Sequence, residues 1–196
     1  MKKADATRLT ILEKAFELIY VKGYQATSVD DVIATLQVTK GAFFYHFRNK
    51  DEMGLAVINE LMFPIMYNAF VKPLSKTLDP VMDIYAMIKN LLFEVPELKV
   101  EYGCPAGNLT QEMSPINPEF SIALSRVTEQ WKKALMTSIL NGKKSGTIRE
   151  DVDAQQVAYF IMAGYWGIRS LGKLDNSKDC YITYLKELKS YLRSLE

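Results

Sequence analysis

The chain of 196 residues is poor in the residues that most enzyme active sites need. It has two cysteines and one histidine, and no cluster with metal-ligand spacing or glycine-rich phosphate loop. Ser–His or Cys–His catalysis would have to use His46, the only imidazole. The sequence therefore predicts no catalytic residue, no cofactor and no metal site, and it predicts that the chain is not an enzyme.

Signals for export or membrane insertion are also lacking. The first five residues are mostly polar and lead directly into a helical pattern, so no signal peptide is predicted. No run of eighteen apolar residues is present, so no membrane partner is predicted. Cys104 and Cys180 do not form a closely spaced pair. A reduced, cytoplasmic protein is the expectation.

Strand-like alternation, internal repeats and low-complexity segments are absent from the sequence as well. Apolar residues recur at three- and four-residue spacing instead, which predicts an all-α protein of about nine helices. Pro80 and Pro105 are predicted to open helices, whereas Pro64 is predicted to kink or break the fourth helix. Ser145-Gly146 is predicted to end the longest helix, and Asp153 to cap the next.

Residues 24–50 carry the most specific pattern. Ser28 and Asp31 form a predicted capping box ahead of an apolar run, so a helix should begin there. Thr39 is placed to cap a second, short helix after a tight turn. The first helix is predicted to bury one face, made of Val29, Val32, Ile33 and Leu36.

The second short helix is basic and aromatic. Phe43 and Phe47 are four residues apart and should face the same core as the first helix. The side chains left on the other faces are Lys40, Phe44, Tyr45 and His46. A tight turn followed by an exposed helix of this kind is typical of a helix-turn-helix, whose second helix enters the major groove of DNA. The alternative is two surface helices with Phe44 and Tyr45 as additional core.

Charge is distributed unevenly along the chain, although the formal net charge is only +1. Residues 1–50 hold eight Lys/Arg against five Asp/Glu, and the remainder holds sixteen against eighteen. The positive N-terminal part is therefore the predicted nucleic-acid face. Ordinary surface scatter is the alternative explanation for so small an excess.

Residues 7–60 closely resemble the DNA-binding domain of TetR-family transcriptional regulators. The resemblance is carried by Gly23-Tyr24, by Thr27-Ser28 and by the run from Lys40-Gly41 to His46-Phe47, after a first helix with Ile11, Leu12, Ala15, Phe16 and Ile19. It implies a three-helix DNA-binding domain over residues 1–50 and a ligand-binding and dimerisation domain over residues 51–196. Gln37 departs from the glycine of many relatives, so a strained turn is expected there.

The face left over after Phe43 and Phe47 are assigned to the core gives the residues predicted to contact DNA. The residues expected to face the groove are Thr39, Lys40, Gly41 and Phe44. The residues expected to hold phosphates are Tyr45, His46 and Lys50, with Ser28 as a further candidate.

The last two long helices are the predicted dimer interface. Around Phe160, Gly164 and Trp166 the first of them is apolar nearly all round, so it must be buried on more than one side. In the TetR family these helices build a four-helix interface, and here Leu185 and Leu188 are the expected contributions of the second. The alternative is a central helix buried within one subunit.

A small-molecule effector is expected to bind in the middle of the chain. Nine methionines suit an adaptable pocket, although such residues more often form core. The predicted pocket residues are large, soft or aromatic: Met62, Met66, Tyr67, Phe70, Phe93, Cys104, Met113, Trp131 and Met162.

Cys104 is also a candidate sensor. It directly precedes Pro105, where a helix N-terminus would stabilise a thiolate, so it is predicted to be more reactive than Cys180. The surrounding stretch is similar to a subgroup of TetR-like regulators, some of which respond to electrophiles or oxidants. A buried structural cysteine is the alternative.

Taken with the resemblance, the sequence predicts a DNA-binding transcriptional regulator. The expected form is a homodimeric, ligand-released repressor bound to an inverted-repeat operator in double-stranded DNA. The rival is an all-α small-molecule-binding or scaffold protein without DNA-binding activity.

Overall fold

The computed structural model describes residues 3–36, 38–75 and 79–196. Within these ranges the chain forms nine helices and no strand, as predicted. They are α1 (Lys3–Lys22), α2 (Val29–Leu36), α3 (Lys40–His46), α4 (Lys50–Leu74), α5 (Pro80–Phe93), α6 (Pro105–Met113), α7 (Pro118–Ser145), α8 (Ala154–Asp175) and α9 (Asp179–Arg193), with a short 3₁₀ turn at Val100–Tyr102.

The predicted helix boundaries are confirmed where local signals are strong. Pro80 opens α5, and the Asp79 carboxylate accepts the backbone N–H of Met82 at 3.0 Å. Asp153 caps α8, because its carboxylate accepts the N–H groups of Gln155 at 2.8 Å and Gln156 at 3.0 Å. Gly146 follows α7 with φ of +75°, a conformation that favours glycine.

Helix α4 continues through Pro64, so the predicted break does not occur. The helix is α-helical over Lys50–Ala56, π-helical over Val57–Met62, α-helical over Phe63–Met66 and π-helical over Tyr67–Val71, and it ends in a 3₁₀ turn. The N–H of Phe63 donates to the carbonyl of Ile58, five residues back. Because a π turn is wider than an α turn, it displaces the carbonyl that the proline ring would otherwise meet.

The length and composition of α4 would also allow it to cross a membrane, with a mean hydropathy of 1.3 over an 18-residue window. This is weak evidence, because the core helices of soluble proteins pass the same test. Met53, Val57 and Ile58 of α4 are buried within the chain.

The chain packs as two compact units. The first contains Met1–Ile65 with Pro105–Arg126, and the second contains Met66–Cys104 with Val127–Glu196. The first unit extends beyond the predicted domain of residues 1–50 because α6 and the start of α7 pack on the N-terminal helices. The ring of Tyr24, for example, meets Phe120 edge to face at 4.8 Å between centroids.

The core of the second unit follows the predicted apolar stripes. On α5 they are Ile84, Met87, Ile88, Leu91 and Leu92, and on α7 they include Trp131, Leu135 and Ile139, all buried. The rings of Phe70, Trp131 and Tyr165 meet edge to face, with centroids 4.7 to 5.6 Å apart. Edge-to-face packing of this kind stabilises a core beyond the burial of area alone.

A buried arginine, Arg169, forms hydrogen bonds with several segments of the second unit. Arg169 on α8 donates to the carbonyl oxygens of Leu98 at 3.1 Å and Lys99 at 2.9 Å, and also to that of Gly103. It donates in addition to the Tyr181 hydroxyl at 3.2 Å. One guanidinium therefore satisfies three carbonyl oxygens in the irregular segment before α6.

Candidate nucleic-acid interface

The start of α2 is fixed by the predicted capping box. The N–H of Ser28 donates to the Asp31 carboxylate at 2.7 Å, and the N–H of Asp31 donates to the Ser28 hydroxyl oxygen at 3.0 Å. Lys22 also contacts this carboxylate at 2.9 Å. The backbone hydrogen bond from Ser28, followed by that from Lys22, holds the pKa of Asp31 well below its usual range.

Helix α3 begins as predicted. The Thr39 hydroxyl oxygen accepts the N–H of Ala42 at 3.2 Å. Phe43 and Phe47 are both buried in the first unit, which confirms their assignment to the core. The predicted strain at Gln37 lies outside the described residues.

The opposite side of α3 is exposed. Successive helical residues are about 100° apart, so Lys40, Gly41, Phe44 and Tyr45 share an arc of about 140° that excludes Phe43. Tyr45 is 78% exposed and Phe44 is 47% exposed. The alternative in which these two aromatic residues belong to the core is therefore wrong.

Among the described residues, Gly41 has no packing partner that would require glycine. Of the atoms in that part of the chain, a Cβ at this position would meet the Thr39 hydroxyl oxygen alone, at an ordinary 3.9 Å. Glycine within a helix is about 0.8–1 kcal/mol less favourable than alanine. A close approach by a molecule outside the chain would explain the glycine.

The two lysines beside α3, Lys40 and Lys50, differ in their contacts within the protein. Lys40 lies 3.0 Å from Asp30, but both side chains are mostly exposed, and such pairs contribute little to stability. Lys50 donates to the carbonyl of Gln25 at 3.3 Å and lies 4.3 Å from the Tyr24 ring centroid. Burial is the main cause that lowers the pKa of Lys50. A phosphate role for Lys50 would therefore be additional to a role inside the protein.

His46 is half-buried, and its ring meets that of Tyr45 at 4.9 Å between centroids. Ser28 is exposed, although its hydroxyl also donates to Asp31 at 2.8 Å. Both side chains lie in the first unit with the exposed face of α3.

The predicted pocket residues fall in both units. Met62 and Met113 are buried in the first unit. Those in the second unit are Met66, Phe70, Cys104, Trp131 and Met162, which are buried, and Phe93 and Tyr67, which are partly exposed. Of the predicted pocket residues in the second unit, Phe70 and Trp131 are in aromatic contact. The ring of Tyr165 also contacts Trp131, although the sequence did not predict Tyr165 as a pocket residue.

The residues predicted for the dimer interface include both buried and exposed ones. Leu185 is 6% exposed and Leu188 is 2% exposed, so both are corrected to the core of the subunit, where α9 packs on α5 and α8. Phe160 is exposed, whereas Gly164 lies against Tyr184 of the same chain and Trp166 is half-buried. Periodicity could identify the buried stripe of α9, but it could not tell a subunit's own core from a partner.

The two thiols have different surroundings. Cys104 is 5% exposed, directly before α6. Cys180 is half-exposed, and burial and then Asp175 raise the pKa of its thiol. Exposure thus favours the interpretation of Cys104 as a structural cysteine.

Two helices separated by three residues, the second with an exposed basic and aromatic face, define a helix-turn-helix DNA-binding protein. Residues 11–57 match the family model described as "Bacterial regulatory proteins, tetR family". Residues 80–187 match "Tetracyclin repressor-like, C-terminal domain". The chain belongs to the TetR family of transcriptional regulators, which are not enzymes.

Similarity to known proteins supports this family assignment. The chain is 28% identical over 173 residues to the HTH-type transcriptional repressor DhaR of Mycobacterium sp. (strain GP1), covering 88% of this chain and 85% of DhaR. A TetR transcriptional regulator from Chloroflexus aurantiacus superposes with a TM-score of 0.85 at 26% identity, covering 99% and 96%. One from Cytophaga hutchinsonii gives 0.87 at 21% identity, covering 100% and 98%.

Proposed function

We propose that this regulator is a cytoplasmic, ligand-released repressor that binds an inverted-repeat operator as a homodimer. The observation that carries the proposal is the exposed face of α3, with Lys40, Phe44 and Tyr45 around a glycine that no residue described by the structure requires. The similarity to a protein named as a repressor favours repression over activation.

On DNA, α3 would enter the major groove with its N-terminal residues foremost. Gly41 would let the helix backbone approach the base edges, with Thr39, Lys40 and Phe44 beside it. Tyr45, His46, Lys50 and Ser28 would contact phosphates, which fix the register of the protein without reading sequence.

The proposed dimer uses an apolar face of α8. Phe160, Leu171 and Leu174 are exposed in the single chain and share one side of the helix with Gly167. A Cβ at Gly167 would meet no atom within 4 Å in residues 3–36, 38–75 and 79–196, so the packing of this part of the chain does not require glycine there either. Small residues beside large apolar ones allow two helices to approach closely, and a two-fold dimer matches an inverted repeat.

The effector would bind in the second unit, around the aromatic contact of Phe70 and Trp131. Its binding would change the separation of the two α3 helices and so release DNA. Coupling between two such sites is typically worth about 1–3 kcal/mol.

The test is fluorescence anisotropy with duplex DNA from the region flanking the chain's own gene. The wild type should bind, and a symmetric, inverted footprint should appear on the DNA. Lys40→Ala should bind more weakly, whereas Lys89→Ala, which removes an exposed lysine from α5, should bind like the wild type. Equal affinities for the two variants would contradict the assignment of α3, and an asymmetric single site would contradict the dimer.

A further inference from the structure

The loop between α1 and α2, residues 23–28, leaves backbone N–H groups that neither helix satisfies. Two of them, on Tyr24 and Gln25, donate to the carboxylate of Glu112 on α6, at 2.9 and 2.7 Å. Each N–H reaches a different carboxylate oxygen. Hydrogen bonds to a charged acceptor are about twice as strong as neutral ones, so this contact is a strong one for a loop.

The carboxylate fits closely against the turn. Gly23 has φ of +90°, and a Cβ there would lie 3.2 Å from one oxygen of Glu112 and 3.3 Å from the other. Glycine is therefore favoured twice at this position, by its backbone conformation and by the nearness of Glu112.

The same loop is held by other elements of the first unit. The hydroxyl of Tyr24 donates to Asp51 on α4, and the Tyr24 ring packs on Phe120 of α7. Lys50 donates to the carbonyl of Gln25. The contact of Glu112 differs from these, because its carboxylate accepts hydrogen bonds from two consecutive backbone N–H groups. It therefore fixes the direction of the backbone.

The direction of this loop bears on DNA binding. The loop runs into Ser28, the cap of α2. Helix α3 begins three residues after the end of α2 and packs on α1 and α2. We propose that Glu112 is a positioning residue for DNA binding: its carboxylate orients the loop and thereby α2 and α3, without touching DNA itself. The inference rests on the proposed function, in which α3 binds the operator.

Glu112→Gln tests the proposal. The amide keeps one oxygen acceptor but turns an NH₂ group toward the second backbone N–H, so one hydrogen bond is lost and two donors face each other. Operator affinity should fall, by up to about tenfold, because orienting α3 on DNA then costs part of the free energy of a lost hydrogen bond to a charged group. Amide hydrogen exchange at Tyr24 and Gln25 should become faster.

The matched control is Glu119→Gln, at an exposed position near the start of α7 in the same unit. It makes the same charge change, and removing a negative charge should by itself slightly strengthen binding to DNA. A fall in affinity confined to Glu112→Gln therefore has the opposite sign to the electrostatic effect. Glu112→Asp, which keeps a carboxylate, should recover part of the lost affinity.

Four outcomes decide the matter. Equal operator affinities for Glu112→Gln and Glu119→Gln would overturn the positioning role, as would weaker binding without faster exchange at Tyr24 and Gln25. Failure of the wild type and the control alike to bind the flanking DNA would overturn the proposed operator instead. Faster exchange together with selectively weaker binding supports the role.

Discussion

Gly164 on α8 lies so close to Tyr184 on α9 that a Cβ at residue 164 would come within 2.6 Å of the tyrosine hydroxyl oxygen. Burial of this phenol raises the pKa of Tyr184 to about 12. Gly164 is therefore required by the packing of one subunit, in addition to any role in a dimer.

This contact distinguishes Gly164 from Gly167, two glycines that lie on the same side of α8. Gly164→Ala should destabilise the subunit by about 1–3 kcal/mol because the added methyl overpacks the contact with Tyr184. Urea unfolding at a fixed protein concentration measures the effect. An unchanged unfolding midpoint would show that Tyr184 can move aside.

Gly167→Glu should leave the subunit folded, because a side chain there enters open space in the single chain. It should shift the protein from dimer to monomer in sedimentation equilibrium, since a charge would be buried against the partner. Gln155→Glu, on another side of α8, is the control and should remain dimeric. A Gly167→Glu protein that stays fully dimeric would rule out this face as the interface.

Gly41→Ala should have effects of opposite sign on folding and on DNA binding. Stability should rise by up to about 1 kcal/mol, because alanine is the better helix former and has room at this position. Operator affinity should fall, because the methyl group keeps α3 from the groove. Thermal unfolding and anisotropy titrations measure the two effects, and an affinity at least equal to that of the wild type would contradict close approach at Gly41.

Lys50→Ala should weaken binding to all DNA sequences and lower the slope of log affinity against log salt by about 1, as expected for one lost phosphate contact. The contacts of Lys50 with Gln25 and the Tyr24 ring give a second possible cause of weaker binding. The salt slope separates the two causes: weaker binding with an unchanged slope would leave Lys50 an internal role alone.

The thiols should label in the order of their exposure. In the folded protein a small alkylating reagent should modify Cys180 before Cys104, which is 5% exposed. Because burial raises the pKa of Cys180, its labelling should accelerate as the pH rises above neutral. Mass spectrometry after timed quenching gives both rates, with urea-unfolded protein as the control. Faster labelling of Cys104 would restore the sensor hypothesis.

Asp31 gives the capping box a pH dependence of definite sign. Its pKa is lower in the folded chain than the usual value near 4, so its contribution is complete above about pH 4 and is lost as the pH falls toward the folded value. Asp31→Asn should therefore be less stable than the wild type at pH 7, and the difference should shrink below about pH 4. Urea midpoints across this range test it, and a constant difference would contradict the role of the charge.

Much of the fold could be predicted because its signals are local. Caps such as Ser28 and Asp153, and stripes such as that of α5, are determined by neighbours a few residues away. The contact of Glu112 with Tyr24 spans 88 positions and leaves no periodic trace in the sequence. The π turns around Pro64 also have no sequence pattern that separates them from a broken helix.

The candidate DNA site was predictable to a similar degree. The four-residue spacing of Phe43 and Phe47 assigned the core side of α3 and, by difference, its exposed side. The contacts of Lys50 with Gln25 and the Tyr24 ring depend on the conformation of the α1–α2 loop. The sequence could therefore identify Lys50 as a cation but could not predict these partners.

The carbonyl oxygens held by Arg169 belong to residues 66 to 71 positions earlier in the chain. During synthesis these carbonyls lack the guanidinium of Arg169 until α8 has been made and has docked, although that of Lys99 can also accept the nearby N–H of Tyr102. Contacts this distant in sequence form late, since the intervening chain must first be ordered. The segment before α6 should therefore be among the last parts of the second unit to fold, although α5 precedes it and can form early.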